Sequence, residues 1–127
     1  GGLNHRLGLD NGVMLKDNHI AVAGSIQQAV AQARKLLPVL TKIEVECDRV
    51  AQVKEALEAG ADVIMLDNMA LDDIKTSVAL VAGKAKIEAS GGINIQTIKG
   101  IAQTGVDYIS TSKITQAAPP VDIGLDD

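Results

Sequence analysis

Ala59 to Asp67 reads AGADVIMLD, and Thr104 to Ile109 echoes its first part as TGVDYI. In each copy a glycine stands where a helix would stop, and an aspartate leads into an apolar run that suits a strand. The interval from Asp62 to Asp107 is 45 residues, which holds two strand-and-helix units at about the length a parallel crossover needs. Such repeats predict a parallel sheet with right-handed crossovers, either open or closed into a barrel.

The flanking segments keep the same alternation. Toward the N-terminus, Asp48 is a candidate cap for a helix with Val50, Val53, Ala56 and Leu57 as its buried stripe and Gly60 as its stop. Ile43 to Cys47 alternates apolar and acidic residues, a strand pattern. Ser25 is placed to cap a helix from Ile26 to about Leu37, ended by Pro38. Toward the C-terminus, a helix is expected from about Leu71 to Val81, stopping at Gly83, then a strand from Lys86 to Ser90. After Gly91 and Gly92 a further helix spans Ile95 to about Gln103, stopping at Gly105, and a last strand covers Tyr108 to Ser112. Pro119 and Pro120 argue against helix in the tail from Ala117. The opening, Gly1 to Ile20, is rich in glycine and asparagine and reads as turns.

Strand faces decide between the two sheet forms. A sheet covered by helices on both sides needs strands apolar on both faces, as in VIML. Three of the four expected strands instead carry polar residues on one face: Glu44 and Glu46; Lys86, Glu88 and Ser90; Tyr108, Ser110 and Ser112. The expectation is therefore an α/β fold, a partial parallel β/α barrel of TIM-like type, with strands alternating with helices. A complete barrel of eight strands takes about 250 residues and this chain has 127.

Composition narrows the function. The net charge is -4 and Tyr108 is the only aromatic residue, which argues against nucleic acid as a partner. A lone cysteine, Cys47, permits no internal disulfide, and no apolar run is long enough to cross a membrane, so a cytoplasmic protein with no membrane partner is expected.

Three groups of residues can carry chemistry. His5, Arg6 and Lys16, with His19 nearby, concentrate positive charge in the opening stretch and suit a substrate with more than one negative charge. His19 reads equally well as a structural histidine. Glu46 and Asp67 share the inward parity near the C-terminal ends of neighbouring strands, where a hard cation or ribose hydroxyls could be held. The competing assignment pairs an inward carboxylate with Lys86, and Glu44 and Glu88 sit deeper and look structural. Ser90, Gly91 and Gly92 form a turn between strand and helix that can approach a phosphate, and Thr111 and Ser112, beside Lys113, offer a second small polar strand end.

These stretches resemble the quinolinate phosphoribosyltransferase family, the carboxylating nicotinate-nucleotide pyrophosphorylases of NAD biosynthesis. Asn4 to Ile20 (NHRLGLDNGVMLKDNHI) is similar to that family's signature. IEVE at Ile43, LDN at Leu66, SGGI at Ser90, GVDYIS at Gly105 and VDIGLDD at Val121 follow in the family's order. The resemblance implies that His5, Arg6 and Lys16 hold the quinolinate carboxylates. It further implies that Glu46 and Asp67 bind the ribose hydroxyls and Mg2+ of phosphoribosyl pyrophosphate, and that Ser90, Gly91, Gly92, Thr111 and Ser112 hold the 5-phosphate. No protein nucleophile is implied.

The family usually has glycine where Ser112 stands. The resemblance also places an N-terminal domain, the start of the barrel and further Arg and Lys ligands upstream of Gly1. Residues 1–127 are thus expected to be the C-terminal part of a barrel catalytic domain, from an enzyme that forms a homodimer or higher oligomer. Two alternatives stay open: a related barrel transferase acting on a different base, and a catalytically incomplete phosphate-binding fragment.

Overall fold

The computed structural model describes residues 12–110 and 115–117. Strands and helices alternate as β1 (Gly12–Leu15), α1 (Asp17–Ala23), α2 (Ile26–Leu36), β2 (Lys42–Cys47), α3 (Val50–Ala59), β3 (Val63–Asp67), α4 (Leu71–Val81), β4 (Lys86–Ser90), α5 (Ile95–Ala102), β5 (Tyr108–Ser110) and β6 (Thr115–Ala117). The sheet order is sequential, β1-β2-β3-β4-β5-β6, with β1 to β5 parallel and β6 antiparallel to β5. Sequential parallel strands joined by helices make a segment of a β/α barrel, as the strand faces predict.

Side-chain parity separates two faces. Val13, Leu15, Ile43, Val45, Cys47, Ile64, Leu66, Ile87, Ala89 and Ile109 pack in one core with the buried stripes of the helices, among them Ile26, Ala29, Val30, Val53, Ala56, Ile74 and Val81. The opposite parity runs through Met14, Glu44, Glu46, Val63, Met65, Asp67, Glu88, Ser90, Tyr108 and Ser110, none of which belongs to that core. Helices therefore cover one face, and the other is the concave, polar side of the barrel segment.

The repeated aspartates explain how the units are joined. Asp62 donates its backbone N–H to Ile43 O and accepts the Ile43 N–H at Oδ2, both at 2.9 Å. Asp107 does the same to Ile87, at 2.8 and 2.9 Å. Each aspartate thus ties the start of its own strand to the start of the preceding one. Arg34 strengthens the first copy, reaching Asp62 Oδ2 at 2.9 Å, Gly60 O at 3.0 Å and Thr41 O at 3.1 Å. The second copy has Lys86, whose Nζ lies 4.0 Å from Asp107 Oδ1.

Local details differ from the sequence expectations in four places. The opening stretch is not only turns: its apolar GVML forms β1, and DNHIAVA forms α1. The cap of α3 is Arg49, not Asp48. Gln52 reaches back from the first turn, and its Oε1 accepts from the backbone N–H groups of Asp48 at 2.8 Å and Arg49 at 3.2 Å. Helix α4 covers Leu71–Val81 as expected, but the left-handed residue that stops it is Ala82, at φ 51°, one before Gly83. Residues Thr115–Ala117 return as an antiparallel strand. The expected Ser25 cap is present, its Oγ accepting from Gln28 N at 3.1 Å.

Candidate functional site

Strand register places the candidate residues in rows on the concave face. Asp67 pairs with Ser90, and Ser90 with Ser110, so these three form the row nearest the C-terminal rim. One row deeper run Glu46, Met65, Glu88 and Tyr108. Glu46 and Asp67 are therefore on adjacent strands and the same face, offset by two residues. Lys16 follows β1 with extended backbone (φ -107°, ψ 175°), so the parity of Met14 carries to it. Continuing the β1–β2 register by one pair sets Lys16 against Glu46. The rim thus gathers one cation, two carboxylates and a serine-glycine turn.

Accessibility sorts these groups. Lys16, Glu46, Asp67 and Ser90 are all half-buried, whereas Glu44 and Glu88 are buried. The Glu88 carboxylate has no exposed surface, and among the described residues neither of its oxygens has a hydrogen-bond partner; nor does the buried Ser110 Oγ. Lys86 does not serve an inward carboxylate: its exposed side chain turns to Asp107 instead. Asp67 makes no side-chain hydrogen bond or ion pair among the described residues, so its charge is available at the rim.

His19 has a structural task. Its Nδ1 accepts the Lys16 backbone N–H at 3.2 Å, closing the first turn of α1 and fixing the end of β1. The N-terminus of α5 is also served locally. Asn94 Oδ1 accepts from Gln96 N at 2.9 Å and Thr97 N at 3.0 Å, and Thr97 Oγ1 accepts from Asn94 N at 3.0 Å. Two first-turn amides of α5 are therefore taken by its cap.

The Ser90–Gly92 loop is held by a residue absent from the sequence-based site. Asn68 follows Asp67 in left-handed conformation, φ 54°, which asparagine tolerates better than most residues. Its backbone N–H donates to Ser90 O at 2.9 Å and its side-chain Oδ1 accepts from Gly92 N at 3.1 Å. Gly91 lies between them at φ 123°; a Cβ there would stand 2.8 Å from Asn68 Cγ and 3.1 Å from Asn68 Cα. The glycine is a requirement of this contact. The signal was in the sequence as the Asn after the strand, within LDN.

Among the described residues no group of three or more His, Cys, Asp or Glu is arranged to hold a metal ion. Two half-buried carboxylates at one rim still suit Mg2+, which commonly takes one or two protein carboxylates and completes its shell with water and substrate phosphates. His5, Arg6, Thr111 and Ser112 lie outside the described residues. No helix among the described residues is long and apolar enough to cross a membrane.

Comparison with known proteins gives the chain a family. The family model for the quinolinate phosphoribosyl transferase C-terminal domain matches residues 1–126. The probable carboxylating nicotinate-nucleotide pyrophosphorylase of Bacillus subtilis is 44% identical over 126 residues, which are 99% of this chain and 44% of that protein. The Rattus norvegicus nicotinate-nucleotide pyrophosphorylase is 40% identical over 124 residues, 95% of this chain and 42% of its own length. The crystal structure of the Ehrlichia chaffeensis nicotinate-nucleotide pyrophosphorylase superposes with a TM-score of 0.77 at 44% identity, covering 90% of this chain and 42% of that one. The chain thus spans under half the length of these relatives. It belongs to the quinolinate phosphoribosyl transferase family and corresponds to that family's C-terminal domain.

Proposed function

We propose that this chain contributes the rim of the active site in a phosphoribosyl transfer from phosphoribosyl pyrophosphate to quinolinate, with decarboxylation, giving nicotinate mononucleotide. The observation that carries the proposal is the alignment of Asp67, Glu46 and the Ser90–Gly92 loop on the concave face of a chain of this family. Asp67 and Glu46 bind the ribose hydroxyls. With phosphoribosyl pyrophosphate they would also hold Mg2+, which supplies charge neutralisation for the leaving pyrophosphate. Ser90, Gly91 and Gly92, with Thr111 and Ser112, take the 5-phosphate. His5, Arg6 and Lys16 take the two carboxylates of quinolinate.

The chemistry needs no protein nucleophile. The bond from the sugar C1 to pyrophosphate breaks with its electron pair leaving on oxygen, positive charge builds on the sugar, and the pyridine nitrogen forms the new bond. The 2-carboxylate then leaves as carbon dioxide, its electron pair staying on the ring carbon, which takes a proton. Asp67 and Glu46, negative and close to the sugar, favour that developing cation, and the two clamps at either end align nitrogen with carbon. The protein is proposed to act in the cytoplasm as part of a homodimer or higher oligomer.

Release of carbon dioxide and formation of nicotinate mononucleotide from the two substrates is the direct test. Since the chain spans under half of its relatives, the second reading is a phosphate-binding unit that lacks part of the catalytic set. Retained ribose 5-phosphate binding with no quinolinate binding in calorimetry would select it. In the enzyme reading, Arg6→Ala weakens quinolinate far more than phosphoribosyl pyrophosphate; equal losses would contradict the assigned roles.

A further inference from the structure

The Ser90–Gly92 loop has one short bond of its own, Ile93 N–H to Gly91 O at 2.8 Å. It leads from β4 toward α5, but the first-turn amides of that helix are engaged by Asn94. Beside it lies a cleft of about 400 Å³ between α4 and α5, lined by Leu71, Ile74, Thr97 and Gly100 among others. Gly91 and Gly92 add conformational freedom. A loop of this kind would sample many shapes unless something pinned it.

Asn68 supplies two pins from the neighbouring strand. Its N–H holds Ser90 O and its Oδ1 holds the Gly92 N–H, so the loop is grasped before and after Gly91. Asn68 Oδ1 thereby occupies the Gly92 N–H, which fixes the loop's shape and leaves its other groups to face a phosphate. We infer that Asn68 is the positioning residue of this loop, holding it in the conformation that receives the 5-phosphate and coupling it to Asp67, one residue away. The inference rests on the proposed phosphate role of Ser90 to Gly92, and it adds a residue with no assigned role.

The test compares Asn68→Gly with Asn68→Asp in the full chain. Glycine relaxes the left-handed backbone and keeps the backbone donor but removes Oδ1; aspartate keeps an acceptor at that place. Amide hydrogen exchange by NMR is read at Gly92, with Ile64 and Leu66 of β3 as folding controls, and ribose 5-phosphate is the binding probe. In Asn68→Gly, Gly92 exchange rises about tenfold and ribose 5-phosphate binds about tenfold more weakly, the weight of one such hydrogen bond, while the controls hold. In Asn68→Asp, Gly92 exchange stays within about twofold of the parent. Unchanged Gly92 exchange in Asn68→Gly, with the parent binding ribose 5-phosphate, overturns the role of Asn68 and leaves the phosphate site standing. Faster exchange with unchanged affinity overturns the link between loop order and phosphate. A parent chain that binds no ribose 5-phosphate overturns the phosphate site itself, whatever the exchange shows.

Discussion

Asp62 and Asp67 stand at opposite ends of β3, five residues apart, and are used in opposite ways. Asp62 is spent on the fold: its carboxylate accepts from the Ile43 amide and from Arg34. Asp67 is half-buried with no side-chain hydrogen bond or ion pair among the described residues. The same holds around them. At the N-terminal ends of the strands Asp62 is bonded to Arg34 of α2 and Lys86 faces Asp107, whereas the C-terminal ends carry Asp67, Ser90 and the glycine turn, with Lys16 just beyond β1. A parallel barrel separates stability from chemistry in this way, because all strands end on one rim and all begin on the other. A chemically identical side chain is thus bonded into the fold at one rim and, among the described residues, left unbonded at the other.

The largest expected break in this comparison is Asp67→Asn. Phosphoribosyl pyrophosphate binding measured by calorimetry falls about a hundredfold, the upper weight of a hydrogen bond to a charged group, while the urea midpoint hardly moves. A clear loss of stability would mean that the C-terminal rim is also a brace. Next is Asp62→Ala, which strips the Ile43 amide and leaves Arg34 without its carboxylate. We expect a loss of about 2–3 kcal/mol in urea unfolding, with ribose 5-phosphate affinity unchanged under folding conditions.

Asp107→Ala sharpens the comparison within the N-terminal rim. Its backbone bond matches that of Asp62, but its cation is 4.0 Å away and exposed, so the loss should be smaller, about 1–2 kcal/mol. Equal losses for the two aspartates would show that Arg34 contributes nothing. The smallest effect concerns Cys47 at the end of β2. Burial above all, and then the charges of Asp48, Glu46, Glu55 and Asp17, push its thiol from 9.0 up to about 12. The unfolded chain therefore loses this proton first, and stability declines as pH rises from about 9 to about 12. Cys47→Ala removes that part of the slope, and native Cys47 stays unlabelled by a thiol reagent at neutral pH while the unfolded chain reacts.

Much of the fold could be read in the sequence because parity and punctuation agreed. VIMLD and LDDIKTSVALV lie within the segments that hydrophobic period and flanking glycines mark out. The alternation in KIEVEC and KIEAS revealed the polar concave face. The parts that escaped have a common cause: they are decided by partners far away in sequence. GVML is too short and too near glycine and asparagine to announce a strand until β2 is beside it, and β6 exists only by pairing with β5. Asp62 and Asp107 stood out as a repeat, but that each grips the preceding strand depends on register. Asn68 looked like the end of a strand motif, and its task became visible only with Ser90 and Gly92 opposite it. At the candidate site, Glu46, Asp67 and Ser90 were legible because parity alone puts them on one face at one rim.

Tyr108 gives the molecule a built-in probe. It is the only aromatic residue in the chain and sits half-buried in the middle of the concave face, paired in register with the buried Glu88. With no tryptophan or phenylalanine elsewhere, all intrinsic fluorescence and all near-ultraviolet dichroism originate from that single position. Optical unfolding curves therefore report the seam between β4 and β5, without labelling or mutation, and can be set against an ensemble measure such as far-ultraviolet dichroism to ask whether that seam opens with the rest of the sheet.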